Sequence, residues 1–250
     1  MKLLIDMGNS RLKSAVLGDS GSLLDINATA YEAAKPIDVF KGFVSNHKNI
    51  TSVTIVSVLG EEFQRQLDDF FLNVPTQLNR AASTASAFGV TNRYREPEKL
   101  GSDRFVALVA AKAQFPATPC IVIDCGTAVT IDALSASGEF CGGVIIPGLA
   151  LWSQSLVKRA DQLHEHQIDD LNLFARDTAQ AIGSGSLYGL TSAIEGIVQR
   201  MSQQLSIEFP DEKGPECIIC GGDAAMIASH SSLPFSVMPN LVLMGLAEYT

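Results

Sequence analysis

The chain has 250 residues, of which 46% are hydrophobic and 18% charged, and its net charge is −9. That balance fits a compact folded protein with a sizeable core and excludes a disordered chain. It also leaves no basic face or Lys/Arg cluster for nucleic acid, and no apolar stretch reaches bilayer length.

The elements follow in chain order from the spacing of apolar residues. Leu3 to Ser10 and Arg11 to Leu17 read as a hairpin, with Leu23 to Ala30 as a third strand. The first apolar run is broken at Asp6 after three residues, so nothing reads as a secretory leader and a cytoplasmic location is expected. Ala33 to Lys48 has helical spacing, Ser52 to Val58 reads as a strand, and Glu61 to Phe71 as a helix. Pro75 to Leu78 reads as a short strand, followed by a Ser/Ala-rich connector to about Tyr94. Asp103 to Phe115 is helical, with Ser102 as a candidate N-cap, and Pro116 and Pro119 then interrupt the chain.

A second hairpin begins with Cys120 to Asp124, and Gly142-Gly143 leads into a further run ending at Pro147-Gly148. Leu149 to Ala160 and Asp177 to about Leu205 are helical, the second interrupted by Gly183, Gly185 and Gly189. Each interior Gly costs roughly 1 kcal/mol against Ala in an exposed helix, which points to close approach by a neighbouring helix or a ligand. Glu216 to Cys220 is a final strand running into Gly221-Gly222-Asp223, with a helix from Ala224 and a closing segment Leu241 to Tyr249.

One pattern occurs twice. Ile5-Asp6-Met7-Gly8-Asn9-Ser10 matches Ile123-Asp124-Cys125-Gly126-Thr127-Ala128, the second Asp and the second Gly each following the first by 118 residues. A single Asp-x-Gly is most simply an ordinary turn; two copies in register indicate duplicated half-domains. In each loop the Gly lets consecutive N–H groups converge on an anion, and Asn9, Ser10 and Thr127 add side-chain donors. Asp6 and Asp124 would repel phosphate unless a hard cation sits between, and Lys13 on the return strand lies within reach of the same phosphates.

The five cysteines read as free thiols of a reducing compartment. Cys217-Ile218-Ile219-Cys220 has the Cys-x-x-Cys spacing but no second pair for zinc, and it falls inside a strand-like run, so buried thiols are expected. His164-Glu165-His166 sits in a polar stretch and reads as a solvated face rather than a metal site.

Taken together, the duplicated hairpins resemble the acetate and sugar kinase/Hsp70/actin superfamily. Within it the chain is similar to type III pantothenate kinases. The matching residues are Asp6 to Ser10 with Lys13, Gly101-Ser102-Asp103-Arg104, and the block from Asp124-Cys125-Gly126-Thr127 through Asp132. Gly142-Gly143, Pro147-Gly148, Thr178 ahead of Ile182-Gly183, Gly221-Gly222-Asp223 and Gly245-Leu246 follow in family order, with Ser10 where Thr is common. The resemblance implies an α/β fold of duplicated RNase H-like (actin-like ATPase) halves, 1–118 and 119–250, with a nucleotide cleft between them. It implies ATP-dependent phosphorylation of pantothenate with Mg²⁺ and a monovalent cation, K⁺ or NH₄⁺.

The same resemblance distributes roles. Asp103 would be the catalytic base, its alternative being only a favourable charge at a helix start worth about 0.3–1 kcal/mol. ATP would be held by Asp6, Met7, Gly8, Asn9, Ser10, Arg11, Leu12, Lys13 and Thr127. Pantothenate would meet Tyr94, Gly101, Ser102, Asp103, Arg104 and Thr178, the last from a partner subunit, which makes a homodimer the catalytic unit. Asp6 would hold Mg²⁺ through water and Asp124 the monovalent cation. For the pantothenate carboxylate, Arg104, Arg159 and His164 are all candidates. Acetate or sugar kinases and polyphosphate phosphatases share the superfamily, but the Gly101-to-Arg104 block speaks against them. A purely regulatory protein would not need Asp6, Lys13, Asp103, Asp124 and Thr127 intact.

Overall fold

The computed structural model describes residues 1–72, 74–157 and 171–250. It divides into two compact units, Met1–Gln114 with Asn240–Thr250, and Phe115–Pro239.

The first unit opens with β1 (Lys2–Met7), β2 (Arg11–Leu17) and β3 (Leu23–Ala30), then α1 (Pro36–Ser45), β4 (Ser52–Ser57), α2 (Glu61–Phe71) and β5 (Gln77–Arg80). A short hairpin of β6 (Ser86–Ala87) and β7 (Val90–Asn92) and a 3₁₀ turn at Pro97–Lys99 precede α3 (Ser102–Gln114). The sheet order is β3-β2-β1-β4-β5. The β1–β2–β3 meander is antiparallel, whereas β4 and β5 run parallel to β1. β1 is apolar and buried from Leu3 to Ile5 because it is the central strand, covered on both faces. α1 starts on Pro36 and buries Ile37, Phe40 and Val44, and α2 buries Phe63 and Leu67. The Phe40 ring meets Phe63 and Phe70 edge-on, at 6.4 and 5.7 Å between centroids.

The second unit repeats this plan. β8 (Cys120–Cys125), β9 (Ala128–Leu134) and β10 (Glu139–Pro147) form the meander, followed by α4 (Leu149–Val157) and α5 (Thr178–Glu208). β11 (Glu216–Cys220), α6 (Ala224–Ser229) and β12 (Ser236–Val237) complete it. The strands run β10-β9-β8-β11-β12, with β8, β9 and β10 antiparallel and β11 and β12 parallel to β8. Strand for strand, this is the order and direction of the first sheet. A 31-residue helix, α5, is opened by Asp177, whose carboxylate accepts the Gln180 N–H at 2.8 Å. Trp152 of α4 lies against Gly189 of α5, so at least one of the interior glycines serves helix packing.

α7 (Leu241–Ala247) closes the chain and belongs to the first unit, packing on α3 with Leu241, Val242, Leu243 and Leu246 buried. Among the described residues, no helix is long and apolar enough to cross a membrane. Cys220 is buried and Cys217 half-buried on β11, and all five cysteines are free thiols. Arg159 and the His164-Glu165-His166 stretch lie outside the described residues.

Candidate active site

The first loop is a tight turn between paired strand ends, Met7 facing Leu12. Gly8 N–H donates to the Arg11 carbonyl at 3.1 Å, and Asn9, Ser10 and Arg11 stand exposed at the tip. Asp6 sits directly opposite Lys13 across β1 and β2, so carboxylate and ammonium share one face of the sheet. Met7 and Leu12 are fully buried in the core, so only their backbone can face a nucleotide. Sequence reasoning missed Tyr31, the residue after β3. Its hydroxyl donates to the Gly8 carbonyl at 2.9 Å and its N–H to the Ser10 carbonyl at 3.1 Å. Burial, then the nearby Asp6 charge, hold its phenol far above the usual tyrosine range, so it remains a donor.

The Gly101-to-Arg104 block builds the start of α3. Phe105 N–H bonds the Gly101 carbonyl at 3.0 Å, so Ser102 is the first helical residue and not the N-cap. The Ser102 hydroxyl instead accepts the Ser83 N–H at 3.4 Å. Asp103 accepts the Arg104 N–H at 2.8 Å. Burial pushes the Asp103 carboxyl above the ordinary aspartate range, against opposing pulls from the Arg104 N–H, the Arg104 guanidinium and the Lys13 ammonium. Lys13 therefore connects the first loop electrostatically to Asp103.

Arg104, almost fully buried, donates through Nη1 to the Tyr94 hydroxyl at 3.1 Å, its guanidinium 5.8 Å from the Tyr94 ring centre. The Tyr94 N–H donates to Asn92 Oδ1 at 3.0 Å. The Asn92 amide in turn donates to Ser83 Oγ at 3.1 Å and to the Pro97 carbonyl at 3.0 Å, and the Ser83 hydroxyl donates to Pro97 at 2.7 Å. The stretch read from sequence as a plain connector is thus a hydrogen-bonded platform for Tyr94.

In the second unit the matching loop is one residue shorter, with Cys125 facing Val129 and Gly126 N–H donating to the Ala128 carbonyl at 3.1 Å. Asp124 faces Thr130, where Asp6 faces Lys13. Backbone from two later segments closes on this loop: Gly148 N–H donates to the Thr127 carbonyl and Asp223 N–H to the Cys125 carbonyl, both at 3.1 Å. A Cβ on Gly148 would lie 2.2 Å from the Gly126 carbonyl oxygen. Gly221, at φ +96°, approaches so closely that a Cβ would lie 2.4 Å from the Cys125 carbonyl oxygen and 2.5 Å from Asp124 Oδ1. Burial raises the Cys125 thiol far above the usual range, and the Asp124 and Asp223 charges raise it further, so it is no nucleophile. The same fields show two carboxylates concentrated beside this loop.

Thr178 lies elsewhere in the second unit, exposed at the first turn of α5. It borders a pocket of about 640 Å³ whose described lining includes Trp152, Arg176 and Ser186 but neither Asp124 nor Thr127.

Comparison with known proteins accords with this geometry. A family model described as type III pantothenate kinase matches residues 2–200. A type III pantothenate kinase of Janthinobacterium sp. (strain Marseille) is 39% identical, covering 98% of this chain and 96% of the relative. One from Halorhodospira halophila is 34% identical, covering 100% and 98%. Among solved structures, a Campylobacter jejuni protein described as a Baf family transcriptional activator superposes with a TM-score of 0.61 at 19% identity, covering 99% of this chain and 96% of that one. A Sinorhizobium meliloti protein described as a 2-dehydro-3-deoxygalactonokinase gives 0.58 at 13% identity, covering 100% and 98%. These two show the fold, that of the actin-like ATPases and sugar kinases with duplicated RNase H-like halves. The sequence matches show the family: this chain belongs to the type III pantothenate kinases.

Proposed function

We propose that this chain transfers the γ-phosphoryl group of ATP to the terminal hydroxyl of pantothenate, giving phosphopantothenate and ADP at the start of coenzyme A biosynthesis. The observation that carries the mechanism is the Asp103 carboxyl, held by burial above its ordinary proton affinity within the field of Lys13. Asp103 accepts the hydroxyl proton as the new O–P bond forms and the bond between the β- and γ-phosphates breaks, and the electron pair leaves with ADP. A base of raised proton affinity suits this step, because the alcohol becomes acidic only as the bond forms.

Charge stabilisation does the rest. Lys13 and the donors of residues 9–11, on the turn that Gly8 permits, hold the ATP phosphates, and Thr127 contributes a further donor. Arg104 and Tyr94, fixed to each other, hold pantothenate, and Gly101 and Ser102 line the same helix start. Oxygen donors suit the expected cations: Asp6 for a hydrated Mg²⁺, and Asp124 for K⁺ or NH₄⁺ beside the negative charge of Asp223. Among the described residues no group of three or more His, Cys, Asp or Glu side chains is arranged to hold a metal, so phosphate and water oxygens would complete each shell. When bound, the cations neutralise charge that builds on the transferred phosphate.

We further propose a homodimer in which Thr178 serves the partner's pantothenate. Support comes from Leu173 and Phe174, 72% and 86% exposed just ahead of Thr178. The duplicated halves are proposed as 1–118 and 119–250, whereas by packing the closing segment Asn240–Thr250 groups with the first unit. The working compartment is the cytoplasm, in keeping with five free cysteines. The test is ADP release by the purified protein with and without pantothenate, in K⁺ or Na⁺. Pantothenate-dependent, K⁺-stimulated release supports the reading, and ATP hydrolysis indifferent to pantothenate overturns it.

A further inference from the structure

We infer that Tyr31 is a positioning residue that sets the first phosphate loop through the Gly8 and Ser10 carbonyls. The inference rests on the reading of residues 8–11 as the ATP phosphate loop and deepens it. A loop offers N–H groups to an anion only if its carbonyls are turned away and satisfied. Tyr31 does both from one position: its hydroxyl takes the Gly8 carbonyl at 2.9 Å and its N–H takes the Ser10 carbonyl at 3.1 Å. Gly8 N–H is spent on Arg11, leaving exposed Asn9 with no hydrogen bond among the described residues. The Tyr31 ring is 6% exposed and packs in the core with Leu3, Ile5 and Phe40, so the hydroxyl is presented from a rigid base.

The duplication supplies an independent argument. Tyr31 follows β3 directly, and Gly148 holds the same place after β10. Both donate their N–H to a carbonyl of their unit's loop, Ser10 and Thr127 respectively. Gly148 backbone presses so closely on the Gly126 carbonyl that no side chain fits there. In the first unit the corresponding carbonyl, Gly8, is met by a side-chain hydroxyl instead. The first loop is one residue longer than the second. The position after the third strand is therefore a loop brace in both units through its backbone N–H, and the first unit adds a phenol.

The experiment compares wild type, Tyr31→Phe and Lys13→Ala by steady-state kinetics with each substrate varied, together with thermal melting. Tyr31→Phe keeps the ring and the N–H contact and removes only the hydroxyl. The expected result is an ATP KM raised about three- to tenfold, the size of one hydrogen bond's net contribution, with the pantothenate KM unchanged. Lys13→Ala raises the ATP KM as well. If Lys13→Ala does so and Tyr31→Phe does not, the Tyr31 inference fails and the loop assignment stands. If neither does, the loop assignment fails and takes the inference with it. A Tyr31→Phe enzyme whose two KM values shift together alongside a lower melting point would show a merely structural tyrosine, and overturns the inference.

Discussion

Replacing Gly221 with Ala tests how tightly the second loop is built. The added Cβ would stand 2.4 Å from the Cys125 carbonyl oxygen and 2.5 Å from Asp124 Oδ1, roughly an ångström inside ordinary contact. The backbone there has φ +96°, which costs an L-residue about 1–2 kcal/mol. Relieving the overlap adds about 1–3 kcal/mol, because one neighbour is backbone and cannot swing aside. The sum, about 2–5 kcal/mol, is a large share of a typical total of about 5–15 kcal/mol. In a chain of this size it lowers Tm by about 4–20 °C. Relief also moves the Asp124 carboxylate, so under the proposed K⁺ role of Asp124 any K⁺ stimulation of turnover should weaken in whatever fraction stays folded. Thermal melting and ADP release at graded K⁺ read both effects. A variant melting within about 1 °C of wild type with an unchanged K⁺ response would refute the close packing of Gly221 on Asp124.

Asp103→Asn should stabilise the fold at pH 7. The folded-state pKa of Asp103 is raised, so the carboxyl supports the fold fully only below its unfolded value of about 3.9, and that support is lost as pH rises through the folded value. The melting-point gain should therefore appear at neutral pH and fade near pH 3 to 4, and a gain independent of pH would contradict it. Phe174→Asp places a charge on a side chain that is 86% exposed, so it should leave the monomer's melting point unchanged. Under the dimer proposal it should halve the mass seen by sedimentation, and an undisturbed dimer would remove Phe174 from the interface.

Much of the fold was legible because its signals are local. Glu61–Phe71 emerged as a helix with the bounds expected from its apolar spacing, and Glu216–Cys220 as a strand likewise. The duplicated Asp-x-Gly loops were visible because a tight turn after a buried strand leaves little choice of residue. The hairpin β6–β7 was not visible: its strands hold two and three residues, joined through Phe88 and Gly89, both at positive φ. Nothing in a period-2 pattern survives at that length. Ser102 looked like a cap because it stands just ahead of the helically spaced run from Asp103, yet Gly101 takes the capping position and Ser102 bonds to Ser83. Tyr31, Asn92 and Ser83 went unnoticed for a shared reason. Each acts through a contact made by folding, such as the Tyr31 hydroxyl on Gly8, which no local spacing encodes.

The most direct test of the account is single-turnover phosphoryl transfer to pantothenate by wild type and Asp103→Asn at equal, saturating ATP. The account predicts a rate lower by about 10²–10⁴-fold in a variant that still binds ATP and melts no lower than wild type. A variant that phosphorylates pantothenate at the wild-type rate would contradict it, and the base would have to be sought elsewhere.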